Sequence, residues 1–592
     1  MTIPAPTTST TAPNYVHRPT VPLPGEAVVR TGDAIWRALA EASGRRRVVA
    51  IDAYPGVDVR GLVKLAAAQL AGAEVIDLEE RAALPIDRID ELVAPALTDD
   101  RVFGVMSHFP LSSFYDADAL ARLRDELAAV ERLTVVVGWG AALAAPADAV
   151  VVLADLARWE IQRRQRAGAP NWRSANGAED RLRKYKRGFF VEWRTADRHK
   201  RGMLDTVDFV LDTNRGLDDA ALVDGDAFRA ALDEASTRPF RVVPFFDPGP
   251  WGGQWMKEKF GLDPDAENYA WCFDCVPEEN SLLLEASDGA LVEVPAIDLV
   301  LARPRELLGE KTYARFGAEF PIRFDLLDTM QGGNLSLQVH PVTDYIRNTF
   351  GMSYTQDESY YLLDADEDAV VYLGSRTGVG PEEFEAELRR AQRGGYEFPA
   401  DRMSNRVPIK KHDHVAIPAG TIHCSGAGSM VLEISATPFI FTFKLWDWGR
   451  LGMDGVPRPI HIDHGMANIA WERDTEWVTT QLVGQVETLS QTDDVVEERT
   501  GLHELEFIEV RRHWFSQQAD HDTLGTVNVL NLVEGDEAEV ASPTNAFAPF
   551  VVHYAETFIV PASVGPYVIR RTENSRSERF ATVKASVRGT QH

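Results

Sequence analysis

Two hydrophobic rhythms divide the chain. Over about 25–239, short continuous apolar runs alternate with charged, amphipathic stretches. Arg47-Val48-Val49-Ala50-Ile51-Asp52 reads as a buried strand, followed by a Pro/Gly turn and a helix over 60–71 with Gly72 as its stop. Residues 134–137 and 149–153 are further buried runs. This alternation predicts an α/β domain, a parallel sheet with helices on both faces. From about 240 onward the period shortens to two. In Leu335-Ser336-Leu337-Gln338-Val339-His340-Pro341, the residues Ser336, Gln338 and His340 share one face and Leu337 and Val339 the other. Tyr360-Tyr361-Leu362-Leu363 and the run from Val415 to His423, broken by a Pro/Gly turn, continue the strand signal. Between them, 380–392 carries acidic residues early and Arg389 and Arg390 late, the charge order of a helix, and anchors a helical insertion over about 375–410. Beyond 471, Phe507-Ile508-Glu509-Val510, 527–532 and 557–562 predict the strands of a second barrel. Residues 1–24, opening on a Thr/Pro/Ala-rich stretch without a charged or apolar leader, read as a disordered tail.

Candidate chemistry sits in the alternating part. Taken singly, a His here is more often a hydrogen-bonded or exposed histidine than a ligand. Gln338, His340, Glu358 and His423 form a set, however, each on a β-pattern and two of them flanked by Pro or Gly turns. Two imidazoles, a carboxylate and an amide oxygen on antiparallel strands can converge on one divalent metal inside a small barrel. Such a donor set suits Zn²⁺ and leaves room for a water or substrate oxygen. The architecture that offers this is the cupin, a jelly-roll barrel.

These motifs, with Tyr361-Leu362-Leu363-Asp364-Ala365, Asp447-Trp448-Gly449-Arg450, Trp251-Gly252-Gly253 and Arg458-Pro459-Ile460-His461-Ile462, resemble type I mannose-6-phosphate isomerase over roughly 244–585. The resemblance implies a zinc cupin over 240–470, carrying the insertion, and a second, metal-free cupin over 471–592. Zinc would be held by Gln338, His340, Glu358 and His423. It implies aldose–ketose isomerisation of a sugar phosphate, mannose 6-phosphate to fructose 6-phosphate, by proton transfer through an enediol. Glu433 matches the family's catalytic Glu. The family's Arg falls on Lys444, one residue further along, which keeps the charge and loses the bidentate fork. Arg450 and Arg458 are further cations for the phosphate or the enediolate, with Arg450 counted among the catalytic set. Gln356 stands where the family has a Lys two residues before the metal Glu, with Asp357 intervening, and His412 replaces a turn Gly. A second function class stays open: a non-catalytic metal cupin that senses a sugar phosphate or a nucleotide.

The first domain carries Gly56-Val57-Asp58-Val59-Arg60-Gly61-Leu62-Val63, the frame of a Walker A loop. Leu62 and Val63 replace the phosphate Lys and the Mg²⁺-binding hydroxyl, and Asp58 adds a negative charge. Leu153-Ala154-Asp155 through Arg163-Arg164 and 188–214 resemble the lid and substrate regions of uridine kinase-like P-loop proteins. The expectation is a degenerate P-loop NTPase-like domain that does not transfer phosphate. It serves either as a scaffold or as a site for a nucleotide or phosphosugar. The basic run Arg181, Arg183, Lys184, Lys186 and Arg187 reads as a solvated helix face or an anion site.

Composition narrows the partners. The 592 residues suggest three or four domains. A net charge of −29 argues against nucleic acid and anionic membranes. Three cysteines exclude a disulfide framework and fit a reducing cytoplasm, and Cys272-Phe273-Asp274-Cys275 reads as incidental. Strand alternation points Cys424 away from the metal, and oligomeric state is not legible.

Overall fold

The computed structural model describes residues 13–589 apart from 45 and 502. The first domain is built on a seven-stranded sheet. Its spatial order is Arg30–Thr31, Ala221–Asp224, Phe209–Asp212, Val150–Asp155, Val48–Ala53, Thr134–Gly138, Glu74–Asp77. The last five are mutually parallel, with fully buried Val48–Ala53 at their centre, as continuous apolar runs require. Ala221–Asp224 runs antiparallel to both its neighbours, Phe209–Asp212 and Arg30–Thr31, which corrects the all-parallel expectation. The link over 213–220 is too short for a crossover, so the chain can only fold back on itself there. The helix expected over 60–71 spans Val59–Gln69.

The tail expectation is corrected for 13–24, while residues 1–12 lie outside the described residues. Thr20–Pro22 pairs in parallel with Ser281–Glu285, which also pairs with Leu291–Pro295. Tyr15 is buried, stacks on Phe260 at 4.0 Å and donates to Asp274 at 2.6 Å. The apolar contacts of Tyr15, Val21 and Leu23 are what order this arm. The three-stranded sheet and the helices after it, Ile297–Ala302, Pro304–Leu308 and Glu310–Phe316, join the first domain to the rest. Asp212 Oδ2 accepts from Glu293 N at 2.9 Å, and Lys200 Nζ lies 2.9 Å from Asp155 and 2.6 Å from Asp298, all buried.

The first barrel is two antiparallel sheets face to face. One holds His414–Ile417, Glu358–Ala365, Ser429–Ala436, Ile322–Asp328, Trp271–Cys275 and Phe245–Asp247. The other holds Ser404–Pro408, Val370–Ser375, His423–Ser425, Leu337–Val339 and Phe443–Trp446. The insertion is shorter than 375–410: Pro381–Gln392 and Ala400–Met403 are helices, but Ser404–Pro408 is an edge strand on Val370–Ser375. Its alternating burial gives the reason. The second barrel pairs a six-stranded sheet, Val486–Gln491 to Phe580–Val587, with a four-stranded one, Gln518–Asp522, Pro566–Arg571, Glu537–Ala541 and Phe550–His553. Its interior is apolar, including Phe515, Leu530, Phe558 and Phe580.

Candidate metal centre and the cavity at its mouth

Antiparallel pairing sets the site. Gln338 lies opposite His423 in register, so both side chains leave the sheet on the same face. Glu358 is the first residue of a strand in the facing sheet. His423 Nε2 is 2.7 Å from Glu358 Oε1, His340 Nε2 is 3.2 Å from Glu358 Oε2, and the two imidazole centroids are 5.0 Å apart. His340 Nδ1 donates to Phe441 O at 3.2 Å and His423 Nδ1 to Thr421 O at 2.9 Å. With the protons fixed on Nδ1, both Nε2 lone pairs face a carboxylate. Glu358 Oε1 and His340 Nε2 are buried with no hydrogen-bond partner. Lone pairs set against an anion without a donor repel, and a divalent cation between them removes that repulsion. The Gln338 amide lies 3.2 Å from His423 Nε2, and rotating it about its last bond turns its oxygen to the same point. The residues present therefore fit a metal, and His340, Glu358 and His423 are the metal-capable His/Cys/Asp/Glu group found among the described residues.

Around this centre lies a buried charge network. Gln356 Nε2 donates to Glu358 Oε2 at 3.0 Å and to Glu433 Oε1 at 3.3 Å. Arg323 pairs with Glu433 and, at 3.1 Å, with Asp325, while Ser435 Oγ donates to Glu433 at 2.9 Å. Burial, then the Glu358 charge, pushes the Glu433 carboxyl up, and burial raises Asp325 to about 8. Arg323 was not anticipated from sequence. The signal was there in Ile322-Arg323-Phe324-Asp325, two opposite charges two residues apart on one face of an apolar strand. Asp357 Oδ1 accepts from Ala419 N at 2.9 Å, and burial raises its carboxyl to about 6. His412 takes the turn's left-handed conformation, φ 72°, and is held by Tyr361 at 2.9 Å and by Glu534 of the second barrel at 3.2 Å.

Lys444 also pairs with Gln338 in register and points to the same interior face. It opens on a cavity of about 250 Å³ that lies between the first barrel and the N-terminal domain. Burial, then the charge of Arg458, lowers the Lys444 ammonium to about 7. Arg458 lines the same cavity. Arg450 is not among the residues that line it, and its guanidinium turns to Asp447 at 2.8 Å.

The Walker-like loop is closed on itself. The helix starts at Val59, and Asp58 caps it by accepting from Gly61 N at 2.9 Å. A carboxylate thus occupies a donor that a phosphate would need. Arg164 donates to Gly56 O at 3.0 Å and holds the loop from above. The basic run divides: Arg181 and Arg183 are exposed, with Arg181 lining the cavity beside Lys444, while its other three members are not solvated. Lys184, Lys186 and Arg187 are buried and tied to backbone carbonyls and carboxylates, including Gly177 O at 3.0 Å and Asp90 at 2.7 Å. Cys272, Cys275 and Cys424 are buried free thiols.

Against known proteins, the N-terminal domain matches, over residues 32–237, a family described as "Domain of unknown function (DUF8485)". A "Mannose-6-phosphate isomerase" of Streptococcus mutans is 28% identical over 218 residues, 36% of this chain and 63% of that protein. "Mannose-6-phosphate isomerase ManA" of Bacillus subtilis is 25% identical over 227 residues, 38% of this chain and 66% of that protein. Part of the chain is homologous to mannose-6-phosphate isomerases. The chain spans 63% and 66% of the lengths of these two relatives. Among solved structures, mannose 6-phosphate isomerase from Bacillus subtilis aligns at 18% identity and a TM-score of 0.47, over 59% of this chain and 99% of that one. No helix among the described residues is long and apolar enough to cross a membrane.

Proposed function

We propose that this chain is a zinc-dependent sugar-phosphate isomerase acting on mannose 6-phosphate. The observation that carries the reading is the Gln338–His340–Glu358–His423 centre with Lys444 in register beside it. His340, Glu358 and His423, with the Gln338 oxygen, would hold the ion. When bound, the metal supplies electrophilic stabilisation of negative charge on the substrate. The protein's own part is proton transfer and orientation. Glu433 moves the proton between C1 and C2. Arg323 and Ser435 hold the Glu433 carboxylate in one orientation for that transfer. Lys444 meets the charge that develops at the oxygens. The pairing of Glu433 to the metal carboxylate through Gln356 favours catalysis over sensing, since a sensor needs no proton shuttle at the metal.

For the first domain, the reading is a degenerate P-loop kinase-like scaffold that does not hydrolyse ATP. Its support is the occupation of the loop by Asp58 and the absence of Lys and Ser/Thr at Leu62 and Val63. A coupled assay of fructose 6-phosphate formation from mannose 6-phosphate tests the main reading on zinc-loaded protein. We expect steady turnover. A protein that carries one metal per chain and is inert on this sugar would remove the substrate assignment.

A further inference from the structure

The cavity at the mouth of the metal barrel has two walls of different origin. One comes from the barrel, with Lys444 and Arg458; the other comes from the N-terminal domain, with Arg101, Arg166 and Arg181. Their charges do not cancel. Arg166 is matched by Asp247 through two contacts of 2.7 Å, and Arg101 by Asp180. Asp447 is shared between Arg458 at 3.2 Å and Arg450 at 2.8 Å. Arg181 reaches Asp454 only at 3.6 Å, beyond hydrogen-bond distance. Lys444 has no side-chain hydrogen bond or ion pair among the described residues. Arg181 is exposed at the cavity, its side chain 42% accessible, so its guanidinium is available to an anion there. Here the surplus is positive and faces a cavity.

The wall from the first domain is held in place. Phe103 is buried against Phe443 at 5.1 Å and His461 at 4.6 Å, which pins the loop of Arg101 to the strand that carries Lys444. Asp100 accepts from the amides of Val102 and Phe103 at 2.6 and 2.7 Å and fixes that loop's shape. The helix that begins with Arg181 is anchored by Lys184 on Ala169 O and Gly177 O.

We propose that this cleft receives the phosphate of the substrate, and that the N-terminal domain supplies part of the receptor through Arg101 and Arg181. The inference rests on the isomerase reading for the identity of the anion as a sugar phosphate. It gives the 32–237 domain a role in substrate specificity with no need for nucleotide chemistry.

The test uses the full-length, metal-loaded protein and inorganic phosphate as the probe, followed by calorimetry. Wild type is expected to bind phosphate, and Arg181→Gln to weaken that binding about tenfold, the loss of one charge-assisted contact. Asp454→Asn, which releases Arg181 from the carboxylate it reaches at 3.6 Å, is expected to tighten it, a gain that misfolding cannot imitate. In turnover, Arg181→Gln is expected to raise KM for mannose 6-phosphate with little change in kcat, as for binding common to ground and transition states. Phosphate binding that depends on Arg181 in a protein inert on the sugar would sink the isomerase reading and keep this one. Turnover with an unchanged KM in Arg181→Gln, or phosphate binding indifferent to both substitutions, would overturn it.

Discussion

Each of the two barrels buries a pair of histidines at close range, yet the first has the makings of a metal centre and the second does not. In the first, His340 and His423 have Nδ1 tied to carbonyls and Nε2 directed at Glu358 between them. In the second, His513 and His521 are closer still, with centroids 4.3 Å apart. Among the described residues no carboxylate joins that pair in a metal-capable group. Glu497 sits outside it, 3.4 Å from His513, and His521 stacks on Tyr567 with neither ring nitrogen bonded. Burial lowers the pKa of both rings, so they pack as neutral aromatics. The turn Pro561-Ala562-Ser563-Val564-Gly565 leads into Pro566–Arg571 without a His, whereas Pro418-Ala419-Gly420-Thr421 leads to His423. What makes a centre is the anchored second nitrogen and the interposed anion, not imidazole proximity.

The sharpest way to break this contrast is to remove a ligand from each barrel. His423→Ala is expected to reduce metal content to near zero and abolish turnover, while His521→Ala leaves metal content at one ion per chain, by elemental analysis. Equal metal loss in both variants would mean the second barrel also binds an ion. The next largest effect is expected at Lys444. Removing a preorganised charge partner costs roughly 100- to 1000-fold in turnover, so Lys444→Ala should lose about that much at unchanged metal content. Lys444→Arg is expected to preserve or raise activity. Unaltered turnover in Lys444→Ala would move the role to Arg458.

The smallest effect concerns the seam between the barrels. Hydrogen bonding to His412, reinforced by Lys411 against burial, lowers the Glu534 carboxyl to about 2. A depressed carboxyl pKa stabilises the fold fully above the unfolded value of 4.5 and loses that contribution as pH falls toward about 2. Glu534 is partly solvated, so the contribution is of order 1 kcal/mol after screening. Glu534→Gln should therefore unfold more easily in urea at pH 7, and the gap from wild type should close between pH 4.5 and 2. A gap independent of pH would show that the group acts by packing.

Much of this was legible in residue order because strands report their faces. Gln338 and His340 share a side by period two, and both reach the cluster of Glu358 and His423. Asp58 in the Walker-like frame announced a loop hostile to phosphate, and it caps its own helix. What escaped depended on contacts between distant segments. Arg323 needed Glu433, Arg101 needed Phe103 docked on Phe443, and nothing local to Arg450 showed that it would turn to Asp447. The sequence order of Arg181, Arg183, Lys184, Lys186 and Arg187 looks like a solvated face, but carbonyls from other segments take up three of the five. The first strand, Thr20–Pro22, was hidden in a stretch whose opening is polar and proline-rich.

That strand has a consequence for how the molecule is made. Thr20 leaves the ribosome before its partner Leu283, which follows more than 260 residues later. At ordinary synthesis rates the arm waits roughly 13–50 s for a place in the sheet. During that interval the N-terminal domain can fold, while Tyr15 and Val21 remain without the pocket that buries them in the finished protein. The mirror problem faces any fragment that starts near 240. It would present Ser281–Glu285 as an unpaired apolar edge, the kind that recruits other chains. The two halves are therefore bound to one another by history as well as by contact, and a barrel expressed alone should aggregate unless the arm is supplied.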